Sequence, residues 1–369
     1  MSANPAQPNT APRVSLVVVA VVAMSVAVCR VNSTLNFKYL RRFIIPRARA
    51  RRARARRASM FRRSPAPRRA RYAGPCAMNP AENPMDFLKK LLVAVLVWEL
   101  VRFVIARIAL VVLPKRDDED EETARVRFEA PKQYTGAVHA LVVSALAAKL
   151  LRAVVALDEA ADMYYIRGAG IGMDDGARDL LELTNWLFLG YLVQDTTHIV
   201  RNFPRMGKAD MLAHHCVFMV ASILSGASQT MMLPFCWLLL GEASTPLLTL
   251  RWTIQSAAYS LESEKVVKVA KAFGFKGERV SSPKNAGKQL EFFAGLMLVF
   301  TFFLARVVTY SLGYTHMLWV RHKGIIDAVP ASVALPLNVL VGAGAGLNAH
   351  WFGIMIRKAI KGPPKPKEA

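Results

Sequence analysis

A chain of 369 residues with 53% hydrophobic residues and a net charge of +23 is too apolar for an ordinary soluble domain. Its mean hydropathy is +0.26, and its apolar residues form long blocks, which indicates a protein that crosses a membrane several times. The charge does not indicate a nucleic-acid partner, because residues 1–81 alone carry 17 of the 49 Lys and Arg and no Asp or Glu.

Residues 1–85 form a basic leader. Its apolar run at 14–29 is 16 residues long, shorter than the roughly 20 residues that a spanning helix needs. The stretch that follows is rich in Arg and punctuated by Pro, so it cannot bury a core and is predicted to be disordered. Three interpretations stay open: a targeting segment, an uncleaved anchor, or a translation start at Met78 or Met85 with the leader outside the working protein.

Seven apolar segments follow, and each approaches the length of a membrane-spanning helix. They are 91–113, 136–156, 180–200, 211–228, 231–252, 290–310 and 332–354. We therefore predict an all-α bundle of about seven transmembrane helices. The first helix and an acidic loop occupy 86–133, a six-helix domain occupies 134–358, and a basic tail occupies 359–369. Pro246 should kink the fifth segment, because proline removes a backbone hydrogen-bond donor.

Lys and Arg in the connections predict the orientation of the bundle. Connections one, three and five, together with the tail, carry 20 of these residues, whereas the other three connections carry four. The C-terminus is therefore expected in the cytosol. There, Lys365 and Lys367 resemble a dilysine retrieval signal, which predicts the endoplasmic reticulum. A plastid membrane is the alternative if the leader is a transit peptide.

Ionisable residues inside apolar segments are costly in a bilayer and mark candidate sites. A short connection joins the third and fourth segments, which places Asp195 and His198 at about the depth of His214 and His215. We identify His214, His215 and Asp195 as candidate catalytic residues, because an imidazole beside a carboxylate can act as a base or as an acyl-accepting nucleophile. The other members of the predicted polar cluster are His139, His198, Glu242, Arg251, Asn348 and His350.

Five of the seven histidines are thus expected at one end of the bundle. The alternative for each polar residue is an interhelical hydrogen bond that stabilises packing by about 1 kcal/mol. No metal site is predicted, because the chain has no HExxH motif, no repeated histidine spacing and no Cys-x-x-Cys pair. No cofactor is expected.

Six stretches of the chain, in order, carry a resemblance to a known family. They are HALVV from His139, GYLVQD from Gly190, KADMLAHHC from Lys208, GEASTPLLTLRW from Gly241, FFLARVV from Phe302 and LNAHWF from Leu347. The chain resembles the TLC-domain family, which includes the ceramide synthases and the translocating-chain-associated membrane protein, and it looks closest to the TLC domain-containing protein 4 group.

The resemblance implies a helical bundle around a lipid-accessible cavity and a role in membrane lipid composition. It also implies that His214 and His215 match the acyl-transfer histidines of the ceramide synthases. The HDxSD tract of those enzymes is replaced here by GEASTP at residues 241–246.

Three functional hypotheses follow. The first is a multi-pass protein of the endoplasmic reticulum that acts in membrane lipid homeostasis and binds or modifies membrane lipids at the cytosol-facing cluster. The second is a sphingoid-base N-acyltransferase that uses acyl-CoA. The third is a cargo receptor or membrane scaffold. The sequence does not determine whether the protein is an enzyme or what its oligomeric state is.

Overall fold

A computed structural model of the chain describes residues 83–112, 121–156, 175–207, 209–228, 232–260, 264–322 and 331–361. Two predictions lie outside these residues: the basic leader as far as residue 82, and the retrieval-like residues within 362–369. Where the structure describes the chain, its regular elements are all helical, and this confirms the predicted fold class.

In chain order, the α-helices of the described ranges are α1 (Pro84–Val112), α2 (Glu121–Ala156), α3 (Asp175–Arg201), α4 (Ala209–Ser228), α5 (Met232–Leu240), α6 (Thr245–Ser260), α7 (Glu264–Ala272), α8 (Pro283–Phe302), α9 (Thr309–His322) and α10 (Ala331–Lys361). A 3-10 turn, Gly241–Ser244, joins α5 to α6. A π-helical turn, Phe303–Val308, joins α8 to α9.

Four stretches of the described chain are long and apolar enough to cross a membrane. They are Thr123–Arg152, Ala209–Gly226, Pro283–Thr315 and Ala331–Ile360. The other predicted spans are helical as well, but α1 carries Glu99, Arg102 and Arg107 inside its apolar run, α3 mixes polar with apolar residues, and a 3-10 turn separates α5 from α6. The structure therefore supports an integral membrane protein, whereas the count of seven spans is not confirmed.

The helices extend beyond the apolar segments from which they were predicted. α2 begins at Glu121 rather than near Gly136, and it continues through Pro131 and across the domain boundary predicted at 133 and 134. The Thr135 hydroxyl donates to the Pro131 carbonyl at 2.6 Å. α8 begins at Pro283 rather than near Leu290, with Ser282 accepting a hydrogen bond as its N-cap. Hydropathy identifies the apolar middle of a helix, but backbone hydrogen bonding continues into the polar ends.

α2 is the centre of the bundle, because it packs against α1, α3, α5 and α6. In its most apolar stretch 61% of the residues are buried, compared with 11% in α10. Leu150 of α2, Phe188 of α3 and Leu239 of α5 belong to the same buried cluster. α1 approaches α3 closely at Gly190, where an added Cβ would lie 2.6 Å from the Ala94 Cβ. This packing holds in place the helices that carry the candidate site residues.

The fifth predicted segment is interrupted close to the predicted kink. The 3-10 turn Gly241–Ser244 ends just before Pro246. The ring of Tyr310 packs against Gly241, where an added Cβ would lie 2.7 Å from a ring carbon. The Tyr310 hydroxyl donates to the Leu238 carbonyl at 3.1 Å, so it satisfies a backbone acceptor next to the interruption. The interruption brings Glu242 opposite the π-helical turn.

Candidate functional site

His215 of α4 faces α3, where two polar side chains orient its ring. Nε2 lies 3.7 Å from Oδ2 of Asp195, and Nδ1 lies 3.1 Å from Oγ1 of Thr196. His215 and Asp195 are each only 5% exposed. A neutral ring with its proton on Nε2 fits both contacts, because that proton points toward the carboxylate while Nδ1 accepts from the Thr196 hydroxyl. The result is a buried, oriented imidazole with a carboxylate neighbour.

His214 has different neighbours, although it precedes His215 directly. Successive residues of an α-helix point about 100° apart, and the two rings lie 5.8 Å apart with planes at 47°. The His214 ring packs at 4.3 Å against Phe218 and at 5.3 Å against Trp351 of α10. The pair therefore separates into one histidine beside a carboxylate and one histidine among aromatic rings.

Glu242 forms an ion pair that the sequence prediction did not include. Nη2 of Arg306 lies 3.0 Å from Oε1 of Glu242, and the two side chains are 8% and 13% exposed. Nε of Arg306 donates to the Gly241 carbonyl and the Ser244 hydroxyl, both at 3.0 Å. The signal for this partner was present, because an arginine within the apolar stretch FFLARVV requires an acceptor inside the protein.

His139 occupies an aromatic setting on α2. Its ring stacks on Tyr191 at 3.6 Å with planes at 10°, and Trp98 approaches it edge-on at 5.3 Å. The residue is 2% exposed, and its Nε2 has no hydrogen-bond partner in the part of the chain that the structure describes. His139 therefore contributes to the wall between α1, α2 and α3.

His198 pairs with Glu99 of α1, a residue outside the predicted cluster. Its Nε2 lies 2.9 Å from Oε1 of Glu99, whose other oxygen lies 2.9 Å from Nη2 of Arg102. Gln194 also donates to Glu99 at 3.5 Å. This small network joins the last turns of α3 to α1.

The remaining predicted residues have other surroundings. Arg251 forms an ion pair with Glu291 of α8 at 3.0 Å. Asn348 is 1% exposed and lies beside Tyr310, whereas His350 is exposed on α10. The five histidines of the predicted cluster therefore have different immediate neighbours. Among the described residues, Asp195 and Thr196 contact His215, and the groups within electrostatic range of it include Lys132, His139, His214 and Glu242.

A cavity of about 540 Å³ lies beside this site, between α1, α2 and the end of α3. Asp195, His198 and Asn202 all line it, as expected for residues at i, i+3 and i+7 of one helix. Its other polar lining residues are Arg102, Arg127, Lys132, Thr135, Gln194 and Arg205. Across the described ranges, no three His, Cys, Asp or Glu side chains form a group that could hold a metal ion.

Comparison with protein families finds the TLC domain at residues 130–357, more than half of the chain. The matched range includes all the predicted site residues and Arg306, but not Glu99 or Arg102. Searches of curated proteins and of solved structures found no match.

Proposed function

Because the chain belongs to the TLC-domain family, we propose that this integral membrane protein binds or modifies membrane lipids at the buried groups around His215 and acts in membrane lipid homeostasis. The observation that carries the proposal is the contact of His215 with Asp195 and Thr196 inside the bundle. Ionisable side chains in such a position are costly to bury and are retained mainly where they bind or react with something.

The surroundings of His215 suit a molecule that is partly polar and partly apolar. Asp195, Thr196 and His215 offer hydrogen-bonding groups to a headgroup, while Phe218 and Trp351 give the neighbouring His214 an apolar wall. A lipid combines the two requirements, because its headgroup can meet the imidazole while its chains contact the aromatic rings.

The proposed location is the endoplasmic reticulum with a cytosolic C-terminus, and the proposed subgroup is that of TLC domain-containing protein 4. Support comes from the Lys and Arg asymmetry of the connections, from Lys365 and Lys367, and from the six sequence stretches. The cargo-receptor hypothesis rests on those same two lysines, which lie outside the described residues, and it stays a prediction.

Lipid retention by the purified full chain tests the proposal. The protein is extracted in a mild detergent, and the co-purified lipids are identified by mass spectrometry for the wild type and for His215→Ala. We expect the wild type to retain a defined lipid class. The amount of that lipid retained by the variant should be lower by a factor of about ten or more, because one charge-assisted hydrogen bond contributes about 1.5–3 kcal/mol.

Gln255→Ala is the matched control, since it removes an exposed polar side chain of the same domain and should leave the retained lipid unchanged. The proposal is wrong if the wild type retains no defined lipid class, or if the two variants retain equal amounts.

An acyl transfer from acyl-CoA to a sphingoid base is the second candidate, favoured by the carboxylate beside His215 Nε2. In that reaction the imidazole accepts a proton from the amine, the amine nitrogen bonds to the acyl carbon, and the thioester bond breaks. The leaving thiolate then takes the proton. Adding both substrates to the same purified protein distinguishes the candidates: an N-acyl product supports transfer, whereas retained lipid without product supports binding alone.

A further inference from the structure

The cavity between α1, α2 and the end of α3 concentrates positive charge. Arg102, Arg127, Lys132 and Arg205 line it together with His198, and Asp195 is the acidic residue among the described residues of the lining. Its volume of about 540 Å³ lies within the ~300–1,000 Å³ typical of ligand pockets. This is a second feature of the molecule, distinct from the aromatic wall around His214.

Two of these cations contact neutral groups rather than a carboxylate. The Arg205 guanidinium lies 4.8 Å from the centre of the Phe128 ring, and the Lys132 ammonium donates to the Met206 carbonyl. Both partners are neutral, so neither contact cancels the positive charge. Arg102 and His198 differ, because Glu99 pairs with both of them. The positive potential of the cavity therefore comes mainly from the side formed by α2 and the turn after α3.

Gln194 supplies an independent sign that the cavity takes a ligand. The residue is 2% exposed, it lines the cavity, and its Oε1 has no hydrogen-bond partner among the described residues. A buried acceptor without a donor is unfavourable, because it has lost its hydrogen bonds to water and gained none in the protein. A ligand that carries a hydroxyl or an amine would remove that penalty.

The α1 side of the cavity also carries an exposed apolar side chain. Leu110 lines the cavity and is 49% exposed, and Phe103 of the same helix is 50% exposed. Exposed apolar side chains on a membrane helix are suited to contact with lipid chains. A headgroup could therefore occupy the cavity while its chains remain in the bilayer beside α1.

We propose that this cavity binds a phosphate group that carries a neighbouring hydroxyl or amine. Arg and Lys are the usual partners of phosphate, through paired hydrogen bonds and a point charge respectively. The phosphate can belong to the headgroup of an anionic phospholipid or to a compound in solution. This inference rests on the proposed function. It deepens that function by naming the class of ligand that binds in the cavity beside Asp195.

Two probes that share one chemical group separate these sources. Phosphatidylglycerol in detergent micelles presents a glycerol phosphate as a headgroup, and glycerol 3-phosphate presents it in solution. Binding of each to the full chain is measured with the labelled probe. Saturable binding of phosphatidylglycerol alone supports a lipid headgroup, whereas binding of both supports recognition of the free phosphate group. Saturable binding of neither probe overturns the proposal.

Charge removal at the cavity supplies the matched variants. We expect Lys132→Gln with Arg205→Gln to weaken binding of the probe at least tenfold, because two charge-assisted contacts are lost. Lys268→Gln with Lys271→Gln removes two exposed charges from α7, outside the cavity lining, and should change the affinity less than twofold. Equal affinities for the two double variants would overturn the proposal.

Arg205→Gln alone keeps the test valid if the cavity double variant does not fold, since Arg205 is an exposed residue of the turn after α3. It should still weaken binding severalfold. The two proposals also fail separately. Cavity variants with normal probe affinity, in a protein that loses its lipid with His215→Ala, reject the phosphate site and leave the proposed function standing.

Discussion

Two regions of the bundle bury ionisable side chains, and they do so in opposite ways. Around Glu242, Arg306 makes a direct 3.0 Å ion pair and donates further hydrogen bonds to Gly241, Ser244 and Thr245, at 3.0–3.2 Å. Around His215, Oδ2 of Asp195 lies 3.7 Å from Nε2 of the imidazole, and Asp195 also lines the cavity of about 540 Å³. In the first region the ionisable groups make direct hydrogen bonds to each other. In the second region the carboxylate lies beyond hydrogen-bond distance of the imidazole and borders a cavity.

The difference indicates which region has a structural role and which is available for a ligand. A buried ion pair with its hydrogen bonds satisfied holds two elements together, here the 3-10 turn before α6 and the π-helical turn after α8. A carboxylate beyond hydrogen-bond distance from its imidazole can still approach another group. We therefore expect substitutions near Glu242 to lower stability, and substitutions near His215 to change lipid binding more than stability.

The largest effect is expected for Arg306→Met. The substitution leaves Glu242 buried without its cation, which should lower the free energy of unfolding by about 3 kcal/mol. Thermal unfolding of the detergent-purified full chain measures the change. A midpoint equal to that of the wild type would show that the pair does not hold the two turns together.

The double variant Arg306→Met, Glu242→Leu sharpens this test. Replacing both partners removes the unpaired charge, so a large part of the lost stability should return. A double variant as unstable as the single variant would assign the loss to packing around Arg306 rather than to the stranded carboxylate.

Thr196→Val is expected to have an intermediate effect on stability. It keeps the shape of the side chain but removes the hydroxyl that holds Nδ1 of His215, so the free energy of unfolding should fall by about 1 kcal/mol. Lipid retention should fall as well, because the ring loses its fixed orientation. If stability falls while lipid retention does not, the orientation of His215 has no part in binding.

The all-helical fold class was predictable from hydropathy. In a long apolar block inside a membrane, the backbone N–H and C=O groups find their hydrogen-bond partners within a helix. The juxtaposition of the α3 and α4 residues was also accessible, since a short connection fixes the relative depth of consecutive antiparallel helices. The pairing of Glu242 with Arg306 and of His198 with Glu99 was not, although an arginine inside an apolar stretch indicates that it needs some acceptor. Arg306 and Glu99 lie on helices distant in the chain, and sequence spacing determines faces within a helix but not which helices become neighbours.

Two details of the predicted cluster were accessible from sequence spacing alone. Asn348 and His350 are two residues apart on α10, so they point to different sides of the helix, and Asn348 is 1% exposed while His350 is exposed. The adjacent His214 and His215 likewise face different neighbours. A cluster defined by depth in the membrane must therefore also be divided by helix face.

The smallest loss in the free energy of unfolding is expected for Arg251→Gln, which breaks an exposed ion pair rather than a buried one. Arg251 pairs with Glu291 at 3.0 Å, as Arg306 pairs with Glu242, but the Arg251 side chain is 38% exposed rather than 8%. Exposed ion pairs contribute about 0–1 kcal/mol, because the surroundings screen the charges and each side chain loses freedom. The same unfolding measurement should therefore detect a loss below about 1 kcal/mol. A loss as large as that of Arg306→Met would show that burial is not what separates the two arginines.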